Sequence, residues 1–215
     1  VSFRILDIYT LLFRHFGPQH WWPGETPFEV AVGAILTQNT SWSNVTKAIA
    51  NLKGAGVLSP EGLSSLPLSD LAVLIRPAGY FNLKAARLVN FLKMIGRYYD
   101  GSFDALLGAE AEELRGRLLS VKGIGPETAD SILLYAAQRP VFVVDAYTHR
   151  ILFRHGLIEE EIDYHSLQER ITASLPQDDV ALFNEYHALL VRTGKEFCRK
   201  SKPLCPQCPL NAMAP

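Results

Sequence analysis

The chain has 215 residues, 48% of them hydrophobic, and a formal net charge of −1 at pH 7. That length supports one large core or two small, intimate ones, and no apolar run is long enough to span a bilayer. The near-neutral charge excludes a globally basic nucleic-acid surface, but not local positive charge or phosphate contacts made by backbone amides.

In chain order, Phe3, Leu6, Ile8, Leu11, Leu12 and Phe16 recur at helical spacing and predict an amphipathic helix over 3–16, stopped by Gly17-Pro18. Arg4, Asp7 and Arg14 break any signal-peptide pattern here, so the cytoplasm is the expected location. Trp21-Trp22-Pro23 stand in a loop, either as a core plug or as a stacking wall for a flat ligand. Thr26-Pro27 opens a buried helix that runs to Leu36. The polar Gln38-Asn39-Thr40 that follows is either a self-satisfied turn or a polar finger at a site. Trp42 starts a helix reaching about Leu52, and Ser59-Pro60-Glu61 and Ser69-Asp70 read as two more helix starts. A glycine turn at Gly79 leads into a long helix from Asn82 to about Tyr98, and a further helix spans Ala109 to Leu119.

The next stretch is Val121-Lys122-Gly123-Ile124-Gly125-Pro126. Proline suits a first helical position, and the glycines permit positive φ and close backbone approach. Amides in such a turn, beside a helix N-terminus, can seat a phosphate. Ile124 can pin the turn to the apolar face of the helix after it. The local sequence alone also fits an ordinary helical hairpin. Val141 to Val144 form a short apolar run with no partner strand in view, ending at Asp145. Asp145 is a good helix N-cap for a helix over 146–156. Helices over Ile162–Leu175 and Val180–Gly194 follow. All three cysteines, Cys198, Cys205 and Cys208, lie near the end, among Pro203, Pro206 and Pro209, which argues against a distributed disulfide framework.

A glycine-rich hairpin, one helix, an apolar run and an aspartate, in that order, resemble the HhH-GPD superfamily of DNA glycosylases. Leu119, Gly123, Gly125, Thr128, Ala129, Val144, Asp145 and Arg150 carry the match, and Gly79, Tyr80, Phe81, Asn82, Lys84 and Ala85 match a second family segment. The resemblance implies an all-α fold of two domains: a helical barrel over 25–139, and a second domain joining 1–24 to 140–215, with the active cleft between them. It implies damaged double-stranded DNA as partner, a monomer without membrane attachment, and the cytoplasm or nucleoid of a bacterium or archaeon. Asp145 becomes the catalytic carboxylate. Gln38, Lys122, Gly123, Ile124, Gly125 and Thr128 become DNA-binding residues.

In the endonuclease III branch of that family, the cysteine spacing seen at Cys198, Cys205 and Cys208 continues to a fourth cysteine and holds a [4Fe–4S] cluster. The fourth place here is Ala214, so the implied cluster lacks one thiolate; a tail that has lost its metal and a zinc site whose tetrahedral set is also incomplete are the alternatives. Glu127 stands where bifunctional members carry a lysine, which implies hydrolysis without strand cleavage. Trp21, Trp22, Pro23, Trp42 and Glu127 together resemble the base pocket of 3-methyladenine glycosylases of this branch. Aromatic rings and a carboxylate suit a flat, positively charged alkylated purine. The expected substrate is therefore an alkylated purine. The alternatives are an endonuclease III-like enzyme for oxidised pyrimidines, with or without lyase activity, and a non-catalytic binder of DNA structure.

Overall fold

The computed structural model describes residues 5–176 and 178–213. It is all-α, with no strand among the described residues. None of their helices is long and apolar enough to cross a membrane. The chain divides into two compact units, Val1–Trp22 with Pro140–Pro215, and Pro23–Arg139.

The unit formed by Pro23–Arg139 holds α2 (Pro27–Leu36), α3 (Trp42–Gly54), α4 (Pro60–Ser65), α5 (Leu68–Leu74), α6 (Phe81–Tyr98), α7 (Phe103–Gly108), α8 (Ala111–Leu119) and α9 (Pro126–Ser131). Every residue of α2 after its opening proline is buried, so this helix is the centre of the unit. Thr26 caps it, accepting from the Glu29 N–H at 3.1 Å. α5 starts at Leu68, so Ser69 and Asp70 lie in its first turn and do not open it. α7 is a six-residue helix, capped by Ser102, with no length of pattern to announce it. After Ser131 the helix continues as one π-helical turn over Ile132–Ala136, fully buried.

Lys84 explains part of the second family segment. It is 1% exposed, and its ammonium donates to the carbonyls of Leu36 and Ala78, both at 2.8 Å. It thus closes the C-terminal ends of α2 and of a short 3₁₀ turn, where carbonyls have no helical partner. Burial, and then the Arg87 charge, lower its pKa to about 8.

The other unit holds α1 (Ile5–Phe16), α10 (Ala146–Arg154), α11 (Tyr164–Thr172), α12 (Val180–Glu196) and the cysteine loop. Ile5, Ile8 and Leu12 are the buried face of α1, as the periodicity predicts, while Phe3 lies outside the described residues. Tyr186 is fully buried and donates to the Ile5 carbonyl at 2.6 Å, which fastens α12 to α1. α11 begins at Tyr164, later than the apolar pattern suggested. The reason is Asp163, whose carboxylate accepts from the N–H groups of His165 and Ser166 and so sets the cap.

Candidate active site and cysteine loop

The apolar run before Asp145 is non-helical and buried: Phe142, Val143 and Val144 are 0%, 1% and 5% exposed. Phe142 packs its ring against Phe183 and Tyr186 of α12. With no strand beside it, the run satisfies its backbone through side chains. Gln168 donates to the Phe142 carbonyl at 2.7 Å, and the Val144 N–H meets the Tyr164 hydroxyl at 3.4 Å. The run therefore acts as a fixed spine that delivers Asp145 to the N-terminus of α10.

Asp145 caps that helix, as its local sequence suggests. Oδ1 accepts from the Thr148 N–H at 2.7 Å. Its other oxygen, Oδ2, faces Nε2 of His187, on α12, at 3.5 Å, and the two side chains are only 10% and 7% exposed. Burial pushes the carboxyl pKa up, but His187, by hydrogen bond and charge, and Thr148 outweigh it and hold the group below the usual carboxylate range. The N-terminus of α10 favours the same anion. A nearly buried carboxylate is thus kept ionised. His187 has no local signal in the sequence; only the packing of α12 against α10 brings it to Asp145. That packing is close. A Cβ on Gly194 would strike the Tyr147 ring. Arg150 reinforces it by donating to the carbonyls of Cys198 at 2.7 Å and Gly194 at 3.2 Å.

In the other unit, the helix-hairpin-helix consists of α8, the turn and α9. Arg115 clamps the fully buried Asp130 across it, with two bonds of 2.7 and 3.1 Å. Ile124 is buried, as expected of the residue that pins the turn. The glycines divide their roles. Gly123 has a φ of +99°, and a Cβ there would strike Arg87. Gly125 is extended (φ −97°) and has open space where a Cβ would stand, so it makes no use of the positive φ that glycine permits. Gln38 is tied to this turn. Its amide donates to the Gly123 carbonyl at 3.1 Å and to Thr128 Oγ1 at 2.9 Å, and its oxygen accepts from Arg87. The structure thus brings Gln38, Gly123 and Thr128 into one network and adds Arg87, which the sequence did not single out. Lys122 is exposed, its carbonyl held by Asn90 at 3.1 Å.

Trp42 opens α3 and is part-exposed; Glu127, in the first turn of α9, is exposed. Trp21 and Trp22 are part-exposed, their ring centres 5.3 Å apart, and Pro23 is exposed. None of these rings is a fully buried plug. Tyr80 is a further aromatic of note: it takes a left-handed conformation (φ 44°) and is 72% exposed.

Cys198, Cys205 and Cys208 line one cavity of about 80 Å³, together with Arg154, His155, Phe197, Leu210 and Asn211. Burial, and the neighbouring Cys198 and Cys205, raise the Cys208 thiol pKa. Arg154 anchors the loop. One of its nitrogens lies 3.5 Å from Cys198 Sγ and donates to the Arg199 carbonyl at 2.7 Å, and another donates to the Lys200 carbonyl at 3.0 Å. Arg199, Lys200 and Lys202 are exposed. Ala214 lies outside the described residues. Among the described residues, no three His, Cys, Asp or Glu side chains converge as ligands of one ion would.

Residues 32–177 match the family model for HhH-GPD superfamily base excision DNA repair proteins. A protein of Methanocaldococcus jannaschii, named provisionally as a DNA repair glycosylase, is 49% identical over 96% of this chain and 93% of its own length. Endonuclease III of Thermotoga maritima is 29% identical over 85% of this chain and 79% of its own. The same enzyme name recurs among other relatives and among solved structures that share the fold. The solved 3-methyladenine DNA glycosylase of Helicobacter pylori, bound to 1,N6-ethenoadenine, superposes with a TM-score of 0.76 at 31% identity, over 89% of this chain and 95% of that one.

Proposed function

This chain belongs to the HhH-GPD superfamily of base excision DNA repair proteins, and on that premise we propose how it cleaves and what it removes. It is a DNA N-glycosylase related to endonuclease III and to the Helicobacter 3-methyladenine enzyme, and its substrate is double-stranded DNA. The observation that carries the chemistry is the ionised Asp145 at the head of α10, held by Thr148 and His187. A glycosylase acts on a nucleotide turned out of the duplex. As the N-glycosidic bond lengthens, positive charge builds on the sugar. A fixed carboxylate stabilises that charge and orients the attacking water.

Cleavage is by hydrolysis alone. An imine with the sugar requires an amine, and the first turn of α9 offers the carboxylate of Glu127. Two lesion classes remain. The recurrence of endonuclease III among the relatives supports an enzyme for oxidised pyrimidines, and on the comparisons alone this reading has the greater weight. Glu127, the exposed faces of Trp21, Trp22 and Trp42, and the likeness to the 3-methyladenine glycosylase support an alkylated purine, whose cationic ring would stack on indole.

One panel separates these readings: duplexes carrying ethenoadenine, 7-methylguanine, thymine glycol or dihydrouracil, each assayed for base release and for borohydride trapping. Release of alkylated purines without a trapped complex is the expected result. Release of oxidised pyrimidines, with a trapped band, assigns the endonuclease III type and overturns both finer points. A protein that binds but releases no base would be a structure binder only. In the same assay, Trp42→Ala or Trp21→Ala should weaken binding to alkylated DNA by about 1–3 kcal/mol, the scale of one base–aromatic stack, and leave undamaged DNA nearly unaffected. Equal losses on both DNAs would assign the rings to structural packing.

The cysteine loop fits an iron–sulfur cluster. Three thiols share one cavity, and Arg154 supplies an N–H near Cys198 Sγ, the kind of contact that tunes a cluster. A single-ion site gathers its ligands tightly, whereas a cube of iron and sulfide spreads them over separate corners, so the lack of a single-ion constellation is compatible with it. Cys198, Cys205 and Cys208 would hold the cluster, whose contribution is to order the tail. The exposed Arg199, Lys200 and Lys202 then supply the local positive charge for phosphates that a net charge of −1 conceals.

A further inference from the structure

Three thiolates leave one corner of a four-iron cluster without a protein ligand, and the cavity wall contains a group that suits it. His155 ends α10 and lines the same cavity as Cys198, Cys205 and Cys208. We infer that His155 is the fourth protein ligand of that cluster, binding iron through Nε2 in place of the cysteine missing at residue 214. The inference rests on the cluster reading given above and goes beyond it.

Its tautomer supports the assignment. His155 Nδ1 lies 3.2 Å from the Met213 carbonyl oxygen. A carbonyl can only accept, so Nδ1 is the donor here, which leaves Nε2 as the nitrogen that would bind a metal. Metal-binding histidines characteristically donate their second nitrogen to a carbonyl or carboxylate, which fixes the ring and raises the basicity of the ligating atom. The partner in this bond belongs to the short turn Asn211–Met213, which follows the third cysteine in the chain, so the imidazole is tethered to the cysteine tail. The surrounding backbone is fixed as well. The His155 N–H donates to the Ile151 carbonyl at 3.2 Å, and the adjacent Arg154 holds the carbonyls of Arg199 and Lys200. The last turn of α10 and the cysteine loop therefore form one assembly. Besides the cationic Arg154, Asn211 is the other polar side chain in the cavity wall, and the one that carries a ligating oxygen. Its amide oxygen suits hard cations, whereas imidazole suits iron.

A neutral imidazole in place of a thiolate makes the cluster less negative by one charge. Its reduction potential should rise, in the direction that histidine ligation raises it elsewhere. The site iron should also be retained, where a water-ligated corner would lose it.

The test uses full-length protein labelled with nitrogen-15 histidine, reconstituted anaerobically with iron and sulfide. The reduced protein should show a directly bound nitrogen by pulsed EPR, and His155→Ala should lose that coupling. On mild oxidation wild type should keep about four irons per chain, while His155→Ala drops to about three and gives the EPR signal of a three-iron cluster. His155→Cys should restore retention of the fourth iron with a lower potential than wild type. This rescue separates ligation from a merely structural role of the ring. A wild-type cluster without nitrogen coupling, or a His155→Ala protein that holds its iron as firmly as wild type, overturns the ligand assignment and leaves the cluster reading standing. Failure to take up iron, or one tightly held zinc instead, overturns both. Neither outcome bears on the glycosylase reading, which base release measures separately.

Discussion

Replacing Asp145 with asparagine should slow base release by about a hundredfold or more, the loss expected when one fixed electrostatic stabiliser is removed from a developing charge. The substitution is informative because Asp145 does two jobs. It caps α10 through Thr148, and it presents a carboxylate. Asparagine is as good a cap as aspartate, whereas alanine costs about 0.5–2 kcal/mol at such a position. The two variants therefore separate the roles. Asp145→Asn should lose turnover while keeping the cap, and so remain more stable than Asp145→Ala. Asp145→Ala should lose turnover and stability together. Binding to an abasic-site duplex, where no bond remains to be broken, should survive in Asp145→Asn. Single-turnover kinetics, thermal unfolding and a binding titration decide the matter. Near-normal turnover in Asp145→Asn would reduce the residue to a helix cap.

Much of this fold is written in local pattern. The long helices lie close to where apolar spacing and N-caps place them, because those signals are contained within a few turns of chain. The same holds for Ile124 and Gly123 in the hairpin, whose burial and positive φ follow from the turn itself. Departures arise where the deciding contact is short or distant. α7 has too few residues for a period to show. Asp163 trims α11 because its cap outweighs the apolar residue before it. The π turn over Ile132–Ala136 leaves no mark in a uniformly apolar stretch.

The site divides in the same way. Asp145, the tryptophans and the cysteines stand out by residue type and position. His187, Arg87 and His155 do not, since each reaches its partner from a remote part of the chain. A histidine within a buried helical face reads as core until the helix opposite is known. Lys84 is the intermediate case: its motif is legible, but its task, closing two sets of helix-end carbonyls, is visible only in three dimensions.

His187 supports the second large effect. Its Nε2 faces the Asp145 carboxylate across 3.5 Å, with both side chains almost wholly buried, and it helps hold that carboxyl below its ordinary range. Removing one member of a buried pair leaves the other charge uncompensated, and such losses run to about 3–5 kcal/mol. His187→Leu should therefore be destabilised on that scale at neutral pH. The pH dependence supplies a sharper test. In wild type the Asp145 carboxyl lies below its ordinary value of 3.8. Its contribution to stability is thus full above that value and lost as pH falls through the native pKa. Without His187, burial is opposed by Thr148 alone and the carboxyl moves up. The variant's native state then takes up a proton at a higher pH than wild type does. Its deficit should be largest at neutral pH and shrink as pH is lowered towards about 4. The acid limb of the base-release profile should move up in pH in the same variant, because the catalytic carboxylate protonates sooner. His187→Gln retains a donor without the charge and should fall between the two. Denaturant midpoints measured across pH, set beside pH–rate profiles, test the pairing. A deficit that is the same at every pH, with an unmoved acid limb, would show that His187 only fills space beside Asp145.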